Sequence, residues 1–151
     1  MTTRHFDPAA LMADATAATG GLSNFGDPSF RAGLDKLCAA LDGEGQLTEM
    51  GRGIFKQKLT FQLMNRLRIE DYFTRHPEIA QEEVAAPLVI VGLPRTGTTK
   101  LHRLLSRDPR FWWMSFWESQ FPVPFPNETL EQPAARIKEA QGIVDYMTQA
   151  M

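Results

Sequence analysis

The hydrophobic pattern of this chain has two regimes. Ile54, Phe55, Leu59, Leu63 and Leu67 recur along one helical face, while Lys56, Lys58, Arg66 and Arg68 fall largely off it. That spacing predicts an amphipathic helix, and Thr48 stands where it can cap the first turn. Two helices are predicted upstream. Asp7-Pro8 and Asp27-Pro28 each place a capping carboxylate before a proline at the first helical position. The first helix is expected to run to about Thr19, where Gly20-Gly21 stops it, and the second to end near Asp42, before Gly43 and Gly45. Pro77 and Glu82-Glu83 then mark a connection. Beyond it the helical period gives way to an unbroken apolar run, Leu88-Val89-Ile90-Val91. Such a run reads as a parallel strand buried on both faces.

The chemistry lies just after that run. Gly92-Leu93-Pro94-Arg95-Thr96-Gly97-Thr98-Thr99 leads into a helical-looking stretch, Lys100-Leu101-His102-Arg103-Leu104-Leu105. Strand, glycine-bearing loop and helix together form the layout of an anion cradle. Glycines let the backbone turn sharply and approach a ligand, and the free N–H groups of the helix's first turn face its oxygens. The Gly-x4-Gly spacing matches the start of a P-loop, but Thr98 and Thr99 stand where a P-loop has Lys and Ser or Thr. The cation inside the loop is Arg95. Moving the charge there alters the grip on β- and γ-phosphates and argues against a Mg²⁺-dependent hydrolase. A nucleotide with a shorter anionic tail and no obligatory metal fits better. The expected fold class is therefore α/β: a P-loop NTPase-like parallel sheet flanked by helices, preceded by a helical region over residues 1–86, with the nucleotide-binding domain beginning at 87.

Pro94-Arg95-Thr96-Gly97-Thr98-Thr99 resembles the 5′-phosphosulfate loop of sulfotransferases, most closely that of bacterial sulfotransferase-family proteins with a Gly-Leu-Pro-Arg-Thr-Gly-Thr-Thr loop. Leu101 to Leu105, Asp108-Pro109, Trp117-Glu118 and Pro122-Val123-Pro124 are also similar to that group, as are Arg66 to Asp71 and His76 to Ile79 upstream. The resemblance implies transfer of a sulfuryl group from 3′-phosphoadenosine 5′-phosphosulfate to a hydroxyl or amine of a small acceptor. It implies that Pro94, Arg95, Thr96, Gly97, Thr98 and Thr99 bind this co-substrate. The 3′-phosphate-binding arginine and serine of such enzymes lie on later elements not found here. A further strand–helix unit takes roughly 30 residues, so a full parallel sheet does not fit after Leu88. The 151 residues read as the N-terminal part of such an enzyme.

Charge agrees with a small polyanion as ligand. The net charge is −2, which argues against a general nucleic-acid binder, yet residues 88–110 hold five Arg or Lys and one Asp, so +4 locally. One cysteine, Cys38, excludes an internal disulfide. No apolar stretch is long enough to span a bilayer, and Met1 to Asp7 is too polar for a signal peptide. A cytoplasmic setting is expected.

Three residues are candidates for catalysis. Arg95 suits the leaving phosphate and the bridging oxygen, where negative charge develops; the plain alternative is a surface arginine. Glu118 follows an aromatic run and is the candidate general base; the plain alternative, a carboxylate at a helix or strand end, has slightly more in its favour. His102, one turn into the helix, is the second candidate base, against a packed histidine. Gly92 is expected to serve the turn rather than the ligand. Phe111-Trp112-Trp113-Met114-Ser115-Phe116-Trp117 places five aromatics in seven residues. Core or sheet packing is the commoner outcome for such a run; the sharper one is a pocket wall for an apolar alcohol or phenol. A last helix is expected from Glu131 to Met151, with Ile137, Ala140 and Val144 on one face. No His, Cys, Asp or Glu spacing suggests a metal site. Two other functions fit parts of the pattern: a P-loop kinase or NTPase, and a truncated non-catalytic remnant that self-associates.

Overall fold

A computed structural model describes residues 5–126 and 128–149. They fall into two compact units that divide after Pro77. The first unit holds three helices: α1 (Pro8–Ala18), α2 (Phe30–Gly43) and α3 (Glu49–Arg75). Asp7 caps α1, its carboxylate accepting from the N–H groups of Ala9 at 3.4 Å and Ala10 at 3.3 Å. Thr48 caps α3 by accepting from the Gly51 N–H at 3.1 Å. The pair Asp27-Pro28 behaves differently. Asp27 Oδ1 accepts from the Ser29 N–H at 2.8 Å, and this local turn delays α2 to Phe30. The hydrogen bonds to Ser29 hold the Asp27 carboxyl below its ordinary pKa, against the opposing effect of burial.

α1 packs on both α2 and α3. The shared core is Phe6, Leu11, Ala15, Phe25, Leu34, Cys38, Leu59, Leu63 and Leu67. Two polar anchors close it. The Asp42 carboxylate accepts from the N–H groups of His5 at 3.1 Å and Phe6 at 3.2 Å, which pins the segment before α1 and seats Phe6 in the core. Arg66 donates from Nε to the Phe25 carbonyl at 2.6 Å and from its terminal nitrogen to the Asp27 carbonyl at 2.9 Å, with its guanidinium 4.3 Å from the centre of the Phe30 ring. Ile54, expected on the core face of α3, is 53% exposed.

The second unit corrects the expected fold class. Among the described residues it contains no strand. After a 3₁₀ turn at Pro77–Gln81 it holds α4 (Thr98–Leu105), α5 (Phe116–Gln120) and α6 (Ala134–Gln149). The apolar run meant for a parallel sheet is irregular backbone, with Val89 72% and Val91 88% exposed. A strand exists only through ladder bonds to a neighbour, and no described segment pairs with 88–91. Apolar character alone sets a preference for extended backbone, not a sheet.

α6 begins at Ala134, three residues later than expected; residues 150 and 151 of the expected helix, and residues 1–4 of the N-terminal stretch read for a signal peptide, lie outside the described residues. Of its predicted face only Ala140 is buried. The anchor of this unit is an ion pair that sequence reading missed. Arg136 is 2% exposed and donates from Nε to Glu128 Oε2 at 2.8 Å. The same carboxylate accepts from the N–H groups of Phe125, Ala135 and Arg136 at 3.2, 3.0 and 3.1 Å. The guanidinium also reaches the carbonyls of Phe121 and Thr129, both at 3.4 Å, and stacks 4.9 Å from the Trp117 ring centre. The pair thereby ties α5 and the proline-rich segment to the start of α6.

Candidate functional site

The loop between Val91 and α4 is closed on itself. The Thr96 hydroxyl donates to the Leu93 carbonyl at 2.6 Å. Arg95 sits at φ 65° and Gly97 at φ 88°. The glycine takes this left-handed backbone freely, whereas an arginine there is strained by about 1 kcal/mol. Non-glycine residues held in that region cluster at ligand-binding turns. Gly92 is required by close approach: a Cβ there would stand 2.8 Å from both Thr96 Oγ1 and Thr98 Cγ2. A side chain at 92 would require the Thr96 and Thr98 side chains to shift.

Gly97 is the N-cap of α4 and offers no side-chain acceptor. The first helical bond runs from the Leu101 N–H to the Gly97 carbonyl at 3.0 Å. The N–H groups of Thr98, Thr99 and Lys100 therefore belong to the uncapped first turn, aimed outward along the positive end of the helix dipole. Arg95, Lys100, Arg103 and Arg107 are all exposed nearby in the chain. Arg110 is committed elsewhere, since it closes a clamp on Asp108 with contacts of 2.6 to 3.1 Å. That side-chain contact chiefly holds the Asp108 carboxyl below its ordinary pKa and raises the Arg110 guanidinium.

Two hollows flank α4. A small one of about 300 Å³ is lined by Ile90, Thr98, Thr99 and His102. A larger groove of about 1140 Å³ runs between α4, residues 113–119 and α6, with His102, Trp113, Met114, Phe116, Leu104 and Val144 among its walls. His102 lines both. Its ring meets Trp113 edge-on, with centroids 6.2 Å apart. Trp112, Trp113 and Phe116 are exposed rather than packed in a core. Pro94, Arg95, Thr96 and Gly97 line neither hollow.

Glu118 is engaged locally. Its Oε2 accepts from the Ser115 N–H at 2.7 Å and the Ser115 hydroxyl at 2.5 Å. Ser115-Phe116-Trp117-Glu118 is a Ser-x-x-Glu helix-start signature, and that signal stood in the sequence beside the catalytic reading. Ser115, Phe116 and Ser119 line the groove, but Glu118 does not.

Residues 87–151 match the model of the Sulfotransferase family. The crystal structure of sulfotransferase STF1 from Mycobacterium tuberculosis H37Rv is similar over 97% of this chain, with a TM-score of 0.77 and 29% sequence identity. The two findings support a bacterial sulfotransferase-family protein. The chain spans 40% of the length of the STF1 chain. No curated protein matches it significantly. The family match takes in the closed loop, α4, the aromatic run and α6.

Proposed function

We propose that this chain carries the donor-binding part of a sulfotransferase that uses 3′-phosphoadenosine 5′-phosphosulfate, in a cytoplasmic setting. The observation that carries the reading is the closed turn from Gly92 to Gly97, which delivers the uncapped N-terminus of α4 beside Arg95. In this account the N–H groups of Thr98, Thr99 and Lys100 hold the 5′-phosphosulfate, with the Thr98 and Thr99 hydroxyls beside them. The Thr96 hydroxyl keeps its bond to Leu93, and Pro94 and Gly97 shape the turn. Residues 1–86 are assigned to one region on this reading, with the nucleotide-binding domain beginning at 87.

On this reading the chemistry is an in-line transfer. The acceptor oxygen or nitrogen attacks sulfur in line, the bond from sulfur to the bridging oxygen breaks, and 3′,5′-ADP leaves with the electron pair. Arg95 stabilises the charge growing on that leaving group. A base takes the acceptor's proton. His102 is favoured for it, because the imidazole lies between the hollow at Thr98 and the groove at Trp113. Glu118 is the alternative, and it would first have to release Ser115. The groove between α4 and residues 113–119 is the place for the acceptor.

Isothermal titration with 3′,5′-ADP tests the donor reading. Arg95→Ala is expected to weaken binding by roughly 10- to 100-fold, the range of one charge-assisted contact, and Arg95→Lys to restore part of it. Equal binding by wild type and Arg95→Ala removes Arg95 from the site. Tighter binding of ATP with Mg²⁺ than of 3′,5′-ADP favours a P-loop kinase instead.

One observation favours a second reading, a non-catalytic chain that associates with itself: the apolar stretch from Leu88 to Val91 is largely exposed. Size-exclusion chromatography combined with a sulfuryl-transfer assay separates the two, since a monomer with turnover sinks the association reading.

A further inference from the structure

We propose that the groove beside α4 takes an amphipathic anion: an acceptor with an apolar body and a carboxylate, sulfate or phosphate substituent. This rests on the sulfotransferase reading and narrows its acceptor class. The groove is lined by Trp113, Met114 and Phe116 and also by Lys100, Arg103 and Arg107. On α4 and the turn after it these cations are spaced i, i+3 and i+7, so they share one stripe. Among the described residues, no Asp or Glu lines the groove. The nearest acid in sequence, Asp108, is already satisfied by Arg110.

The juxtaposition sets the selectivity. A neutral phenol or alcohol would use the aromatic wall and leave three cations facing it without a counter-charge. An anionic substituent on the same body would satisfy them by charge-assisted bonds, which are stronger than neutral ones. The aromatic wall excludes small inorganic anions from gaining the full affinity, because they bury no apolar surface. Both halves of the ligand are thus demanded by the same groove.

The test compares 4-phenylbutanoate with neutral 4-phenylbutanol by tryptophan-fluorescence titration at low salt. The anion is expected to bind about tenfold tighter, which is what two or three partly exposed charge contacts supply, and the advantage should shrink with added salt. In an Arg103→Gln/Arg107→Gln variant, which keeps only Lys100, the preference should shrink several-fold while phenylbutanol affinity stays unchanged. Both substituted side chains are exposed, so the fold is not at stake. The preference should also persist with 3′,5′-ADP saturating, because donor and acceptor bind together. Equal affinities for the two probes overturn the proposal. So does a preference undiminished in the double variant, or displacement of phenylbutanoate by 3′,5′-ADP, which would assign the cations to the donor. Loss of 3′,5′-ADP binding with the preference intact counts against the donor reading alone.

Discussion

Arg136→Ala is expected to lower the stability of the second unit by about 3–5 kcal/mol, the range for removing one partner of a buried ion pair. The loss comes mostly from what remains. Glu128 would keep its charge in a buried site with the guanidinium gone, and the carbonyls of Phe121 and Thr129 would lose a donor. Trp112, Trp113 and Trp117 all lie in this unit, so urea unfolding monitored by tryptophan fluorescence reads it selectively. A paired Arg136→Met/Glu128→Leu variant should cost less than either single change, because no charge is left alone.

The same pair sets a pH dependence. Burial alone would raise the Glu128 pKa, but the backbone N–H groups of Arg136 and Phe125, with the guanidinium charge, outweigh it and hold the carboxyl below its ordinary value. A carboxylate with a depressed folded pKa contributes stability in full above its unfolded value of about 4.3. That contribution falls away as pH drops through the lower folded pKa. The stability gap between wild type and Glu128→Gln should therefore be full at neutral pH and close below about pH 4. A gap that stays constant down to pH 3 would mean the pair adds nothing through its charge.

In the first unit, Leu67→Ala is expected to cost about 2–5 kcal/mol, since Leu67 is 0% exposed and its removal leaves a cavity in the core cluster of that unit. Ile54→Ala, on the same predicted face of α3, should change stability by no more than about 0.5 kcal/mol because Ile54 is largely exposed. Urea unfolding monitored by far-UV circular dichroism compares them. Similar losses from both would mean that α3 buries its whole predicted stripe, contrary to the packing described.

That contrast shows where a sequence carries structural information. Asp7 and Thr48 were legible as caps because a cap is a contact over two or three residues. Leu59, Leu63 and Leu67 were legible because helical period and burial coincide there. Ile54 has the same period but stays about half exposed, and periodicity does not reveal how far the partner helix reaches. The strand failed for a related reason. Leu88 to Val91 has the composition of a buried strand, but pairing is a property of two segments. Glu128 and Arg136 lie eight residues apart across Pro133, a spacing that no local rule links. At the candidate site the chemistry of the loop was legible in its residue types. That Gly92 is held by contact with Thr96 and Thr98 was not, while Ser115, three residues before Glu118, marks in the sequence the helix start at which that carboxylate sits.

The donor reading stands or falls on one event: the turn from Gly92 to Gly97 and the first N–H groups of α4 receiving the anionic end of an adenosine nucleotide. Amide chemical-shift mapping of isotope-labelled chain during titration with 3′,5′-ADP, without Mg²⁺, observes that event itself. Saturable shifts concentrated on Arg95 to Lys100, abolished by Arg95→Ala, are expected. Shifts absent from those amides, or centred elsewhere in the chain, would contradict it.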